Sequence, residues 1–183
     1  MRIRAAAPED AAAIAAIYAP HVTSGIATFE LDPPDAGAMR GRMAASEGYY
    51  PWLVVADAED AVLGYAYATK FRERAAYRYV VETTIYMADG AAGRGLGRLL
   101  YQALIDTLVG QGFTQAIGAI ALPNPASVGL HEAVGFHNAG IYREVGFKQG
   151  QWIDVGIWQR ELAGSSVPPV EPRRFVDIRP GSL

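Results

Sequence analysis

Apolar residues alternate with polar ones in some segments and recur every three to four positions in others, so strands and helices are both predicted. The helical spacing follows Pro8, Asp35, Gly95 and, over a short stretch, Asn124. We expect the first helix to end by Pro20, because proline lacks the N–H group that a helix interior uses. The buried face of the helix after Gly95 is expected to carry Leu96, Leu99, Leu100, Ala103, Leu104 and Leu108.

The strand spacing predicts a sheet whose strands are interleaved with these helices. Strands are expected at about 2–4, 52–56, 62–69, 80–87, 114–122, 140–147 and 151–161. Two of the connections, at 57–60 and around Gly150, are short enough for hairpins. The pattern therefore indicates an α/β or α+β domain over residues 1–163, followed by a proline-rich tail, residues 164–183, with irregular structure.

The composition of the chain excludes several classes of partner and of metal site. The chain has 183 residues, 51% of them hydrophobic, and its 16 basic and 19 acidic side chains give a net charge of −3. This charge and the lack of a basic run argue against nucleic acid as a partner. The absence of cysteine excludes disulfides and thiolate metal sites, and three histidines argue against zinc. We expect a soluble, cytoplasmic protein with no membrane span and no metal.

A glycine-dense turn, Gly90 to Gly97, stands between a predicted strand and a predicted helix. Backbone N–H groups converge in such a turn, and the helix start adds the positive end of its dipole, so a phosphate is a suitable ligand. Gly97 is followed by Arg98 and Leu99 rather than by the Lys and Ser or Thr of a nucleotide-triphosphate loop. Arg98 also stands where a dinucleotide fingerprint needs its third glycine. The alternative is a glycine-rich connection without a ligand.

A second polar group is predicted at the start of the short helix after Asn124. Ser127 and His131 are one helical turn apart and share a face near the Asn124 cap. The alternative is that Asn124 only caps the helix and that His131 is a hydrogen-bonded core residue.

A third candidate is a carboxylate within an apolar strand. Period two places Glu82, Thr84 and Tyr86 on one face of the strand 80–87. Burying a carboxylate there is costly unless it has a partner or a chemical task. The alternative to a catalytic role is an ion pair, for instance with Arg78.

Together these features resemble the GNAT acetyltransferase superfamily. The resemblance rests on Gly93-Arg94-Gly95-Leu96-Gly97 at a helix start, then a strand, then Asn124-x-x-Ser127-x-x-x-His131-x-x-x-Gly135-Phe136. Within the superfamily, the chain is similar to the phosphinothricin and methionine sulfoximine N-acetyltransferases. That closer likeness is carried by residues 50–54, 64–68, 82–86, 130–133 and 152–159, and the resemblance extends from about Ile3 to Leu162.

The resemblance implies a mixed, mostly antiparallel, twisted sheet flanked by helices and splayed between the strands at 80–87 and 114–122. It also implies acetyl-CoA as cosubstrate, Glu82 as the base, and His131 beside the cofactor. The implied cofactor contacts are Ile85, Tyr86, Met87, Gly93, Arg94, Gly95, Leu96, Gly97, Arg98, Asn124 and Ser127. Two positions depart from the family pattern: Ala92, where glutamine or arginine is frequent, and Gln149, where histidine or an aromatic residue is frequent.

The acceptor implied by the resemblance is the amino group of a small amino-acid-like molecule. An α-amino group has a pKa of about 8, so a nearby carboxylate can remove its proton as attack begins. His131 could share the base role or protonate the leaving thiolate. For substrate binding we expect Arg72 and Arg74, whose planar guanidinium groups suit an acidic group, together with Phe29 and Tyr77. As an alternative, both arginines are solvated loop charges.

Two rival functions remain open at this point. One is a CoA-binding regulatory protein without transferase activity, and the other is an acetyltransferase for a protein N-terminus or a lysine. The aromatic loops at Phe29, Phe71 and Tyr77 favour a closed small-molecule pocket over a peptide groove. We expect a homodimer.

Overall fold

The computed structural model describes residues 1–164 and 166–178. Within these residues seven strands form one sheet in the order β1-β2-β3-β4-β5-β7-β6. The strands are β1 (Arg2–Ala5), β2 (Trp52–Ala56), β3 (Val62–Lys70), β4 (Val80–Met87), β5 (Gln115–Leu122), β6 (His137–Lys148) and β7 (Gln151–Glu161). The helices are α1 (Ala11–Thr23), α2 (Ala36–Ala44), α3 (Leu96–Gln111) and α4 (Pro125–Ala133).

The sheet is antiparallel except where β4 meets β5. These two strands run parallel and pair only from Val80 to Glu82 on β4, opposite Gln115 to Ile117 on β5. Beyond that point β4 continues to pair with β3, and β5 continues to pair with β7. The C-terminal halves of β4 and β5 therefore diverge. This confirms the mixed, splayed sheet expected from the sequence.

Helices cover both faces of the sheet because its strands carry apolar side chains on both sides. One face packs against α3, with Leu100, Leu104 and Leu108 fully buried. The other face packs against α1 and α2. Leu99 was expected in the core, but its side chain is 51% exposed. The reason is geometric, since Leu99 lies about 100° around the helix from Leu100.

The first helix continues past Pro20, which corrects the expected end. Pro20 lies inside α1, and its carbonyl accepts hydrogen bonds from the N–H groups of Ser24 and Gly25. A proline near the end of a helix loses one backbone hydrogen bond, but its fixed φ is helical. The side chains of α1 that pack against the sheet, including Ile14 and Val22, contribute most to its stability.

The C-terminal segment, residues 166–178, lies against the domain. It contains one short 3-10 turn, Phe175–Asp177, and its Pro172 is buried. The N–H of Arg173 donates to the carbonyl of Gln111 (2.7 Å), and the N–H of Phe175 donates to the carbonyl of Tyr49 (3.1 Å). The rest of the expected tail, residues 165 and 179–183, lies outside the described part of the chain. No helix of the described residues has the length and apolar character to cross a membrane.

Candidate active site

The glycine loop, residues 90–95, joins β4 to α3. Gly93 and Gly95 have φ angles of 75° and 76°, in the left-handed region, and Gly95 is the N-cap of α3. An added Cβ at either glycine would meet no atom within 4 Å, so the space beside the loop is open. The N–H groups of the first helical turn have no intrahelical acceptor. The loop and the helix start thus form a cradle for an anionic group.

A cavity of about 520 Å³ extends from this loop into the gap between β4 and β5. Its walls come from residues 83–88 of β4 and the adjoining loop, residues 119–121 of β5, and α4. Ten of the expected site residues line it: Ile85, Tyr86, Met87, Gly93, Gly95, Gly97, Arg98, Asn124, Ser127 and His131.

Two expected cofactor residues in the glycine-rich stretch do not line the cavity. Leu96 is buried in the core under α3, and Arg94 is exposed to solvent. The side chain of Leu96 is on the core face of its helix, so only its backbone can face an anion.

The start of α4 holds a short hydrogen-bonded chain. Asn124 Oδ1 accepts from the N–H of Ser127 (3.1 Å), so Asn124 does cap the helix. His131 Nδ1 lies 2.8 Å from the carbonyl oxygen of Ser127. A carbonyl only accepts hydrogen bonds, so Nδ1 carries the proton and Nε2 of the neutral ring has a free lone pair.

The imidazole of His131 packs directly against β5. A Cβ added at Gly118 would lie 2.6 Å from His131 Nε2, so this strand position needs glycine. Burial lowers the pKa of His131, and the hydrogen bond to Ser127 opposes that shift. The ring of Tyr101 stands edge-on to His131 with centroids 4.9 Å apart. The geometry thus favours a neutral, fixed imidazole.

Glu82 is half-buried on the face of β4 that packs against α1 and α2. Its register partner on β3 is Thr69. Burial raises the pKa of the Glu82 carboxyl, and the charge of Arg72 opposes the shift. Arg78 forms its ion pair with Glu171 instead, so the alternative of a Glu82–Arg78 pair is wrong. The carboxyl group of Glu82 has no hydrogen bond or ion pair within residues 1–164 and 166–178, and Glu82 lies outside the lining of the 520 Å³ cavity.

The β3–β4 loop, residues 71–79, carries three of the expected substrate residues. The Arg72 guanidinium lies over the Phe71 ring, 4.8 Å from its centroid, and Phe71 meets Tyr77 edge-on at 5.7 Å. Arg74 precedes a 3-10 turn, Ala75–Tyr77. None of the three lines the large cavity. Arg72 is the one whose charge acts on Glu82.

Phe29, the fourth expected substrate residue, belongs to the connection between α1 and α2. Its ring packs against β6 at Gly146, where an added Cβ would collide with it. Lys148, also on β6, donates a hydrogen bond from Nζ to the carbonyl of Thr28 (2.8 Å). Phe29 is thus held beside the β6–β7 hairpin and away from the large cavity.

Two polar side chains that sequence reasoning missed, His21 and Asp89, are part of the cavity wall. His21 from α1 lies against Tyr86, with ring centroids 4.8 Å apart, and Asp89 follows β4. Burial lowers the pKa of His21, while Asp89 and the backbone of Met87 oppose that shift. No local pattern links His21 to a strand more than sixty positions later, so only the tertiary structure could reveal it.

Thr83, which also lines the cavity, binds a buried tyrosine. Thr83 Oγ1 donates to the carbonyl of Ile117 (3.2 Å) and lies 2.8 Å from the hydroxyl of Tyr101. Because Thr83 has one hydroxyl proton, Tyr101 is the donor of the second bond. This pair joins β4, β5 and α3 at the point where the two strands begin to separate.

Comparison with known proteins agrees with this architecture. Residues 3–157 match the model of the acetyltransferase (GNAT) domain family. A phosphinothricin N-acetyltransferase of Alcaligenes faecalis is 45% identical over 170 residues, which cover 91% of this chain and 86% of that protein. An L-methionine sulfoximine/L-methionine sulfone acetyltransferase of Pseudomonas paraeruginosa is 37% identical, covering 87% of this chain and 94% of that protein.

A solved structure extends the likeness to three dimensions. The phosphinothricin acetyltransferase of Sinorhizobium meliloti, in complex with AcCoA, superimposes with a TM-score of 0.87 at 38% identity, covering 93% of this chain and 92% of that one. The chain belongs to the GNAT family and is an N-acetyltransferase.

Proposed function

We propose that this protein transfers the acetyl group of acetyl-CoA to the amino group of a small amino-acid-like acceptor, of the phosphinothricin, methionine sulfoximine or methionine sulfone type. The names of the relatives support this acceptor class. The observation that carries the proposal is the cavity that joins the glycine loop to the gap between β4 and β5. It offers an anion cradle at one end and free strand edges along its length.

The cofactor contacts follow from that geometry. The amides of residues 93–98 bind the pyrophosphate, with Arg94 and Leu96 contributing through the backbone. On the side facing β5, β4 has no strand partner after Glu82, so backbone groups of Ile85 to Met87 are available to the amides of an extended arm. Asn124 and Ser127 lie on the opposite wall. Acetyl-CoA supplies the activated thioester.

Glu82 is the base in this proposal. Its burial raises its pKa, and a carboxylate with a raised pKa is a stronger base toward an ammonium group. His131 in its neutral form has no proton to give, because its Nδ1 proton is held by the Ser127 carbonyl, but the free lone pair of Nε2 lets it share the base role with Glu82. It shapes the cavity wall and does not protonate the thiolate.

The acceptor binds on the α1 and α2 side of β4, next to Glu82. Arg72 is close enough to act on the Glu82 charge, so it can hold the acidic group of a molecule whose amine is at Glu82. Arg74 and Tyr77 complete the β3–β4 loop, and Phe29 covers the site from the α1–α2 connection. Transfer is direct, with both substrates bound at once, since Glu82 and the cavity flank the same strand.

Two details complete the proposal. Exposed apolar side chains gather on the β6–β7 hairpin, including Phe147 at 59% and Trp152 at 62% exposure, and a second copy of this chain is the occupant we propose. Sedimentation should show a dimer that Trp152→Glu dissociates and the α3 surface change Val109→Glu leaves intact.

We also propose a cytoplasmic location, where the cosubstrate is available.

A thiol-release screen tests the function. Free CoA is measured with acetyl-CoA and, in turn, amino acids, methionine sulfone, methionine sulfoximine, phosphinothricin, polyamines and short peptides. We expect saturable release with the amino-acid analogues. Binding of acetyl-CoA with no release from any amine would indicate a regulatory protein instead, and release with peptides alone would indicate a protein acetyltransferase.

A further inference from the structure

The C-terminal segment reaches the end of the β3–β4 loop through one carboxylate. Glu171 accepts hydrogen bonds from Arg78 Nε (2.8 Å) and Nη2 (2.6 Å), and also from the hydroxyl of Tyr79 (2.9 Å). Glu171 and Arg78 are about ninety positions apart in the chain. The contact joins a segment beyond the acetyltransferase family match, which ends at residue 157, to a loop inside it.

The same guanidinium has a second partner within the loop. Arg78 Nη1 donates to the carbonyl of Ala75 (3.1 Å), in the 3-10 turn Ala75–Tyr77. Tyr77 in that turn packs on Phe71, and Phe71 supports the guanidinium of Arg72. A continuous set of contacts therefore runs from Glu171 through Arg78 to the side chains that face the acceptor.

We infer that Glu171 is a positioning residue for the acceptor: by fixing the Arg78 guanidinium, it sets the turn that carries Tyr77 and orients Arg72. The inference rests on the proposed function for the identity of the acceptor. Its structural basis, the bridge from Glu171 to Ala75 through one guanidinium, can be measured separately.

The C-terminal segment is well placed for this role because its neighbouring residues are held firmly. The side chain of Gln111 is 1% exposed, and its Nε2 donates to the carbonyls of both Tyr49 (2.9 Å) and Arg173 (2.8 Å). With buried Pro172, these bonds fix the backbone next to Glu171. The carboxylate thus projects from a rigid support.

Strand β4 does not depend on Glu171. The carbonyl of Tyr79 accepts hydrogen bonds from the N–H (2.9 Å) and the hydroxyl (3.2 Å) of Thr114, the residue just before β5. Loss of Glu171 should therefore free Arg78 and the turn but leave Glu82 and the cofactor cavity in place. The expected signature is a higher KM for the acceptor with an unchanged KM for acetyl-CoA.

The expected effect is modest because the pair is exposed. The side chains of Arg78 and Glu171 are 47% and 60% exposed. Exposed pairs contribute little, and a bidentate one lies at the upper end of their range, so Glu171→Gln should raise the acceptor KM roughly three- to fivefold. Asp60→Asn is the matched control, since Asp60 pairs with Arg2 and Arg4 at the far edge of the sheet.

Exchanging the charges of Glu171 and Arg78 distinguishes a role in positioning the turn from a simple attraction between the two side chains. Glu171→Arg combined with Arg78→Glu restores an ion pair, but a carboxylate at position 78 cannot donate to the Ala75 carbonyl. We expect the double variant to keep the melting temperature and to retain the raised acceptor KM. Full recovery of the KM in this double variant would overturn the proposed bridge.

Hydrogen exchange gives a readout that needs no acceptor. In Glu171→Gln, the peptide covering residues 71–79 should exchange faster, while peptides of the glycine loop should not. Unchanged exchange of residues 71–79 would overturn the inference even if an acceptor is turned over normally. Faster exchange in a protein that acetylates no amino-acid analogue would support the bridge and refute the proposed acceptor class instead.

Discussion

The Nδ1 atom of His131 lies 2.8 Å from the backbone carbonyl oxygen of Ser127, one turn earlier in α4. This contact fixes both the ring and its tautomer, because the carbonyl needs a donor. The ring also fills the space over Gly118 on β5. In this tautomer the free lone pair of His131 is on Nε2, and its one proton, on Nδ1, is held by the Ser127 carbonyl.

Glu82→Gln should lower kcat roughly a hundredfold or more while acetyl-CoA binding is retained, because the amide keeps the shape and loses the basic lone pair. Calorimetric titration with acetyl-CoA and steady-state kinetics at a saturating acceptor concentration measure the two effects. Glu73→Gln, an exposed change in the β3–β4 loop, is the control. Near-normal kcat in Glu82→Gln would refute the base assignment.

The pH profile of kcat should show an acidic limb that belongs to Glu82. The carboxyl accepts a proton only when ionised, and burial raises its pKa, so kcat should fall as the pH drops through that raised value. Arg72 lowers the pKa of Glu82, so Arg72→Ala should move the limb to higher pH. A limb that stays in place in Arg72→Ala would show that the two charges do not interact.

Arg72→Ala should also raise KM for acceptors that carry a carboxylate and spare amines that lack one. A charged hydrogen bond of this kind contributes about 2 kcal/mol, which corresponds to roughly a thirtyfold change. Arg74→Ala provides the comparison from the same loop. Equal effects of Arg72→Ala on both acceptor types would mean that the arginine supports the loop and does not bind the carboxylate of the acceptor.

Gly95→Val should weaken acetyl-CoA binding at least roughly tenfold, because a β-branched residue is strained at the positive φ of this position and would deform the amide cradle. Gly110→Ala in α3 is the control, since Gly110 has open space and no positive φ. Calorimetry with CoA and circular dichroism separate lost binding from lost structure. Normal affinity in a folded Gly95→Val protein would move the phosphate site elsewhere.

Gly118→Ala should destabilise the protein by about 1–3 kcal/mol, because its Cβ would lie 2.6 Å from His131 Nε2 in a packed region. Removing the ring should relieve the clash, so Gly118→Ala combined with His131→Ala should cost less than the sum of the single changes. Thermal denaturation of the three variants measures this coupling. Additive losses would argue against the close contact.

Much of the fold follows from local patterns. Strand β4 has the bounds expected from its apolar run, and α4 begins after Asn124 because that side chain caps Ser127. The two errors in α1 and α3 have separate origins. Pro20 remains helical because its fixed φ suits the last turn of a helix. Leu99 is exposed because it lies about 100° around α3 from Leu100, away from the face that packs on the sheet.

The candidate site was only partly accessible to sequence reasoning. The glycine loop carries its own signal, since positive φ angles and a helix start need glycine. The wall residue His21 carries no such signal, because its position beside Tyr86 depends on how α1 packs across the sheet. Arg78 shows the same limit: the sequence offered Glu82, four positions away, as one alternative ion-pair partner, but the actual partner is the distant Glu171.

The sequence alone determined the order of helices and strands, the glycine cradle, the cap of α4 and the family, because each depends on neighbouring residues or on a motif of fixed spacing. The tertiary structure decided where β4 and β5 separate, which tautomer His131 adopts, and which carboxylate Arg78 binds. These depend on contacts between residues far apart in the chain. They are selected only in the folded chain, because a polar group that folding removes from water is destabilising unless it forms a hydrogen bond.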